Sequence, residues 1–317
     1  MQDLESIQTW LGSEEIAKDR VDLQRVRQLA ASLDLEHQRY HSGSILPPLW
    51  HWMFATPISA LHQAGRDGHT ARGGFLPPVP LPRRMWAGSR IAWHGDIYVN
   101  EPISRHSTVA SIQSKTGRSG SLVFVTVKHL WQSEERLVIE EEHDIVYRDI
   151  PQIDSPKPRE AVAAKVWPQN LEQAVERATE LGQPEVRCRM QADEVLLFRY
   201  SALTFNSHKI HYDRRHCIEV EKYPGLIVHG PLMACLMGTL AWMQSGHQRP
   251  KYFAFRALSP VFDGEPVDII SRQQSEGPAE ELLGSMPAAK EATGGLIADC
   301  AIQKEDSSNA MIAQMAW

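Results

Sequence analysis

The chain has 317 residues, 42% hydrophobic and 23% charged, with a net charge of −6, which is long enough for two domains with buried cores. That balance leaves no basic footprint for nucleic acid, no apolar run approaches the ~18 residues of a membrane span, and the N-terminus, MQDLESIQTW, is too acidic and polar for a secretory signal. Cys188, Cys217, Cys235 and Cys300 lie far apart with no C-x-x-C spacing, as expected of a reduced, cytoplasmic protein.

At the N-terminus, Ile7, Leu11, Ile16, Val21, Val26 and Leu29 recur at helical spacing among charges, which predicts one or two surface helices over 4–33. The stretch 46–61, LPPLWHWMFATPISAL, opens on Pro-Pro and carries aromatic residues at near-helical spacing, which predicts a buried helix. A Gly- and Pro-rich loop follows over 66–82. Next come four β-branched or aromatic runs, 89–99, 107–114, 121–131 and 137–146, with a turn at 115–120, and these predict long antiparallel strands. A buried helix followed by strands able to wrap it is the order of a hotdog domain. Residues 153–159, with Pro156 and Pro158, read as a linker between a domain over 1–152 and a second over 160–317.

After the linker, 160–181 reads as partly helical and 185–190 as a strand. Phe198–Phe205 is a short apolar segment, and Asn206–Asp213 is polar and rich in histidine. Asp213 suits the N-cap of a short helix from Arg214. His229-Gly230-Pro231 opens an apolar helix over 232–243, with Pro in its first turn and free backbone N–H groups facing back. Strands are predicted at 252–258, 265–273 and 296–302, with a Gly- and Ala-rich insertion over 275–295. Arg90–Ile103 ends in Asn-Glu-Pro-Ile and Arg256–Val267 in Gly-Glu-Pro-Val. This weak repeat argues for duplication of one unit.

Asn206-Ser207-His208-Lys209-Ile210-His211-Tyr212-Asp213, followed by His229-Gly230, resembles the D-x-N-P-x-H-x-D motif and later H-G pair of the MaoC-like, R-specific enoyl-thioester hydratases. The surrounding YSALTFN and GLIVHGPLM, with LPRRMWAGSR at 81–90, look most like the two-domain branch of mesaconyl-C4-CoA and itaconyl-CoA hydratases and a 3-hydroxyacyl-thioester dehydratase. The resemblance implies an α+β double hotdog in which only the second domain keeps the catalytic residues. It puts His211 on the catalytic histidine and Asn206 on the catalytic aspartate, and it implies an acyl-CoA substrate, no cofactor, and hydration of a short branched dicarboxylic enoyl-CoA. The oligomeric state stays open, with a homodimer among the options.

Two departures matter: the acidic partner is Asn206, and the Asn-Pro of the motif is His208-Lys209. Asn206 can hold water but cannot take its proton at neutral pH, so His211 is the expected base, with Asp213 the nearest carboxylate that could assist. Gly230 is expected to leave a helix N–H open to the thioester oxygen as charge develops there. A substrate carboxylate or coenzyme phosphates require a cation, and the candidates are His208, Lys209, Arg214 and Arg215 beside the motif, with Arg83 and Arg84 from the first domain; His229 completes the list of expected substrate contacts. His208, His211 and His216-Cys217 fit no standard zinc spacing, so no metal is expected. Trp50, Trp52 and Phe54 suit either a core or an acyl channel, the latter favouring a fatty-acyl dehydratase. A thioesterase would need a carboxylate on 232–243, which has none, and a non-catalytic acyl-thioester binding module is the third reading.

Overall fold

The computed structural model describes residues 6–117, 120–149, 158, 170–274 and 295–317. The expected linker apart from Pro158, and with it the domain boundaries, lies outside the described residues, as do 160–169 and nearly all of the 275–295 insertion.

Among the described residues ten strands form one antiparallel sheet: β1 Glu14–Arg20, β2 Arg83–Trp93, β3 Pro102–Gly117, β4 Gly120–Ser133, β5 Arg136–Arg148, β6 Glu185–Gln191, β7 Tyr252–Ala257, β8 Pro266–Gln274, β9 Ile297–Lys304 and β10 Asn309–Ala316. Their spatial order is β1-β3-β4-β5-β2-β7-β10-β9-β8-β6. From the two ends inward, the second half repeats the connectivity of the first, and the halves meet where β2 pairs with β7 from Gly88↔Arg256 to Ala92↔Tyr252. Glycine is required at that seam, because a Cβ on Gly88 would sit 2.3 Å from the Phe255 carbonyl oxygen. The α+β double hotdog expected from the sequence is present, and the four strands predicted in the first half are found, except that the one expected over 89–99 runs over Arg83–Trp93 and 94–99 lies outside it.

Among the described residues five α-helices accompany the sheet: α1 Leu23–Ser32, α2 Leu171–Glu180, α3 Glu194–Leu203, α4 Arg214–Glu219 and α5 Gly230–Gln244. The duplication extends to single residues. Asp22 caps α1 through Arg25 N–H, and Asp193 caps α3 through Leu196 N–H. Each helix is followed by a residue of positive φ, Asp34 at 54° and Phe205 at 51°. The Glu-Pro repeat read from the sequence is two copies of one turn, in which Glu101 accepts from Tyr98 N–H at 3.4 Å and Glu265 from Phe262 N–H at 3.0 Å. Isolated bridges Ile45↔Tyr98 and Ile227↔Phe262 also match.

Three expectations are corrected. The buried helix over 46–61 is a single 3-10 turn, Trp50–Met53, after which Phe54 is extended and Ala55 has φ 48°. Pro57 lacks an N–H and disfavours helix at the residue before it, so the apolar periodicity could not propagate. Trp50 and Phe54 are fully buried, and Trp50 Nε1 donates to Thr239 Oγ1 on α5 at 3.0 Å; they are core rather than channel. At the N-terminus, residues 14–20 form edge strand β1 instead of helix, pairing with β3 through Glu14↔Thr108 to Arg20↔Pro102. Finally, Asn309–Ala316 adds a strand, β10, that the sequence reading did not include.

The central element is α5. All of Leu232–Met243 is buried, as an all-round apolar helix must be, and it packs on β7 to β10. No helix among the described residues is long and apolar enough to cross a membrane. Cys188, Cys217, Cys235 and Cys300 are buried free thiols.

Candidate active site

The motif residues lie between α3 and α5. Asn206 N–H bonds the Ser201 carbonyl at 2.8 Å, turning the chain off α3. Its Oδ1 then accepts from His208 N–H at 3.0 Å, a local Asx turn that opens the 3-10 turn Lys209–His211. His211 is buried there, and its Nδ1 lies 2.7 Å from the Ile227 carbonyl oxygen. A carbonyl only accepts, so Nδ1 carries the proton and Nε2 is left as a lone-pair acceptor. Nε2 has no partner among the described residues and reaches solvent.

His229 occupies the N-cap position of α5 without a side-chain capping bond and stacks on His211 at 3.6 Å and 17°. Its Nε2 is 2.8 Å from Ser201 Oγ. Burial pushes His211 down to about 4, and burial with the neighbouring His211 drives His229 well below the usual range. Both rings are therefore neutral at pH 7, the state a proton acceptor needs. The first N–H groups of α5 have no helical partner, and Pro231 contributes none. A Cβ on Gly230 would meet only Met311 Cε, 3.9 Å away, so the protein's own packing does not demand glycine there.

The first half contributes a loop that the sequence reading left without a role. Lys209 N–H bonds the Asp67 carbonyl at 2.8 Å, and Ser207 Oγ–H bonds the Gly68 carbonyl. Gly68 has φ 91°, and a Cβ there would lie 1.9 Å from Ser207 O, so the loop tip fits only as glycine. This contact brings the His69 ring to 4.0 Å from His208, whose ring stands edge-on to His211 at 5.6 Å. His69 Nδ1 is 3.4 Å from Asp67 Oδ2, and its backbone N–H donates to Asp67 Oδ1 at 3.0 Å. Burial raises the Asp67 carboxyl, but these contacts with His69, together with the Arg84 charge, outweigh it and hold the group down at about 2. Burial lowers His69 and His208. The sequence signal was the tripeptide Asp-Gly-His inside a Gly-rich loop, which is turn chemistry with an imidazole attached.

The expected cations separate into two groups. Arg83 pairs with Glu221 at 3.1 Å and lies over the Tyr223 ring at 4.4 Å; Arg214 pairs with Asp263 and Glu194, and Arg215 with Glu219. Asp213 caps α4 through His216 N–H at 2.9 Å, which removes it from the base role. Arg84 is half-buried, has no ion pair among the described residues, and lines a pocket of about 420 Å³ with Asp67 and Arg72. Its charge also depresses His69, His208 and His143. Lys209 is half-buried on the motif turn.

Asp67, His69 and His208 each offer a ligand atom within 4.8 Å of the others. The two ring centroids, however, are only 4.0 Å apart at a tilt of 43°, closer than two imidazoles stand when both direct a nitrogen at one tetrahedral ion. The set fits a metal poorly.

Comparison with known proteins bears on the family and the fold. The mesaconyl-C(4)-CoA hydratase of Chloroflexus aurantiacus is 41% identical over 268 residues, covering 84% of this chain and 89% of that protein. The mitochondrial hydroxyacyl-thioester dehydratase type 2 of Schizosaccharomyces pombe is 25% identical over 251 residues, or 71% and 77% of the two chains. Among solved structures, a MaoC-like dehydratase superposes with a TM-score of 0.64 at 14% identity, covering 98% of both chains; that likeness is one of fold. A family model for hydroxyacyl-thioester dehydratase type 2 matches residues 49–263, from the turn of the first half to the turn before β8. With that match spanning most of its length, the chain belongs to the hydroxyacyl-thioester dehydratase type 2 family.

Proposed function

We propose that this site adds water across the double bond of a short, branched enoyl-CoA ending in a carboxylate, as the name of the Chloroflexus relative states for that protein. The observation that carries the reading is His211: a buried imidazole whose Nδ1 is tied to Ile227 O and whose Nε2 is open beside the donor end of α5. Nε2 takes a proton from water as the oxygen bonds to the β-carbon, and negative charge moves through the α-carbon to the thioester oxygen. The N–H groups of Gly230 and Leu232, free at the start of α5, are the donors assigned to that oxygen in this reading. His211 then returns the proton to the α-carbon, and Asn206 steadies the turn that holds the base. The catalytic half of the chain is the second unit, 160–317, and the first, 1–152, shapes the substrate end.

Arg83, Arg214 and Arg215 are already matched with acids, which leaves Lys209 and Arg84; Arg84 is the cation we assign to the substrate carboxylate, because it lines a pocket. An unpaired buried carboxylate costs several kcal/mol, so one such arginine is sufficient reason for selectivity. A fatty-acyl dehydratase would want an apolar tunnel, and the tryptophans proposed to line one are committed elsewhere, Trp50 to Thr239 and Trp52 to Glu141. A reducing cytoplasmic setting suits the four buried thiols.

The test is kcat/KM for mesaconyl-C4-CoA and itaconyl-CoA against crotonyl-CoA and a medium-chain enoyl-CoA. Preference for the dicarboxylic substrates by a factor of about 100 or more is expected. Equal or better turnover of the neutral ones would move the protein to fatty-acyl dehydration.

A further inference from the structure

Hydration by this motif ordinarily uses two groups on the water, and the position of the second is Asn206, whose Oδ1 is committed to His208 N–H. The docked loop of the first half offers a replacement. Its tip is locked to the motif by Lys209 N–H on Asp67 O, by Ser207 on Gly68 O, and by a glycine that no other residue could replace without moving Ser207. Rigid docking of this kind is what a group needs to act at a fixed distance from the base. His69 Nδ1 faces the Asp67 carboxylate, while Nε2 has no partner among the described residues and is accessible. A carboxylate-backed imidazole thus stands one ring away from His211.

We infer that the Asp67–His69 pair supplies the second catalytic group on the attacking water, in the place the family motif gives to an acidic residue. The assignment rests on the hydratase reading above. In this assignment the attacking water directs one O–H toward His211 Nε2 and the other toward His69 Nε2. The first proton goes to His211 as the new C–O bond forms and the C=C pair moves to the α-carbon; His211 then returns it to that carbon. His69 accepts a hydrogen bond throughout and ends the cycle unchanged, so protons and electrons balance with no co-reactant. Asp67 fixes the tautomer that leaves Nε2 free to accept.

The experiment compares His69→Ala, His69→Gln, Asp67→Asn, and His69→Ala combined with Asn206→Asp, following loss of enoyl-thioester absorbance. His69→Ala should lower kcat about 100-fold, within the usual range for one such group, with KM changed less than about threefold. Asp67→Asn should cost about tenfold. Adding Asn206→Asp to His69→Ala should restore at least about tenfold, because it returns a carboxylate to the motif's own position. If His69→Ala does not fold, His69→Gln, which retains an acceptor but loses its carboxylate backing, should show the smaller loss of about tenfold. A folded His69→Ala or His69→Gln with kcat within twofold of the wild type would overturn the assignment, as would a loss confined to KM. Wild-type activity removed by a chelator and restored by zinc would overturn it too, by making the cluster a metal site. Failure of the hydratase reading looks different: the wild type itself would hydrate no enoyl-CoA, and this assignment would fall with it.

Discussion

The two halves share one backbone plan and diverge where chemistry is needed. Counted from the matched caps Asp22 and Asp193 and the matched positive-φ residues Asp34 and Phe205, Leu35 stands where Asn206 does and Tyr40 where His211 does. From the matched bridges at Ile45 and Ile227, Pro47-Pro48 stand where His229-Gly230 do. In the first half Tyr40 is buried against Trp50 at 5.5 Å. In the second half the same position holds an imidazole with a free nitrogen. The first half has its own buried polar cluster, but a closed one: Glu141 is 1% exposed, accepts from Trp52 Nε1 and Ser89 Oγ at 3.2 Å, and has His51 Nε2 at 3.6 Å. Burial raises that carboxyl, yet His51, His129 and His143 together hold it down at about 2. Similar residue types thus build a sealed brace in one copy and an open site in the other: unpartnered atoms occur in both, Tyr40 Oη and His51 Nε2 being sealed from water in the first half, and the difference lies in whether the free nitrogen reaches solvent.

The strongest way to break this contrast is at the matched pair. His211→Ala should lose about two to four orders of magnitude in kcat, while Tyr40→Phe should leave kcat within about twofold, measured on the same enoyl-CoA. Comparable losses at both positions would mean that the halves are not functionally distinct.

Next in size is the sealed cluster. Glu141→Ala leaves Trp52 and Ser89 without their acceptor and should cost about 3 kcal/mol of stability in urea. Its effect on kcat should be small in protein that remains folded. A stability unchanged from wild type would show that Glu141 is no brace.

Acid tests both clusters together. Burial pushes His129 down to about 3 and His143 and His211 to about 4. The unfolded chain binds protons on these groups from pH 6.5 downward and the folded one does not, so stability is full above pH 6.5 and falls as pH drops toward 4. Urea midpoints at pH 7, 5.5 and 4.5 should decline in that order. Because His211 is held low, kcat should stay flat well below pH 6.5, and a limb centred near 6.5 would contradict its burial.

The smallest expected effect lies in the matched caps: Asp22→Ala and Asp193→Ala should each cost about 1 kcal/mol by urea denaturation. Unequal costs would locate a difference in how α1 and α3 are held.

The strands of the first half were legible because Val, Ile and aromatic residues mark them. β1 was not, since EEIAKDR is an edge strand with charges on both faces, half-buried Glu15 and Asp19 as well as exposed Glu14, Lys18 and Arg20, and with Ile16 exposed, so no apolar alternation marks it. β10, NAMIAQMA, is built largely from residues with little preference for strands and is specified by its two neighbours. The motif's own histidines were legible from their spacing. Asp67 and His69 were not, because their role depends on a docking contact between residues more than a hundred positions apart, and no local pattern encodes it. The aborted helix at 46–61 was legible in part, because Pro57 stood inside the predicted span.

The seam between β2 and β7 has a consequence for the order in which the chain is made. The ribosome completes the β2 edge, Gly88–Ala92, long before it reaches Tyr252–Ala257, the strand paired to that edge. For that interval the nascent first half presents an unpaired row of backbone groups beside Ile91, which is buried in the finished protein, and such an edge recruits any strand within reach. Synthesis of the first half by itself should therefore yield self-associated or chaperone-bound material rather than a stable monomer.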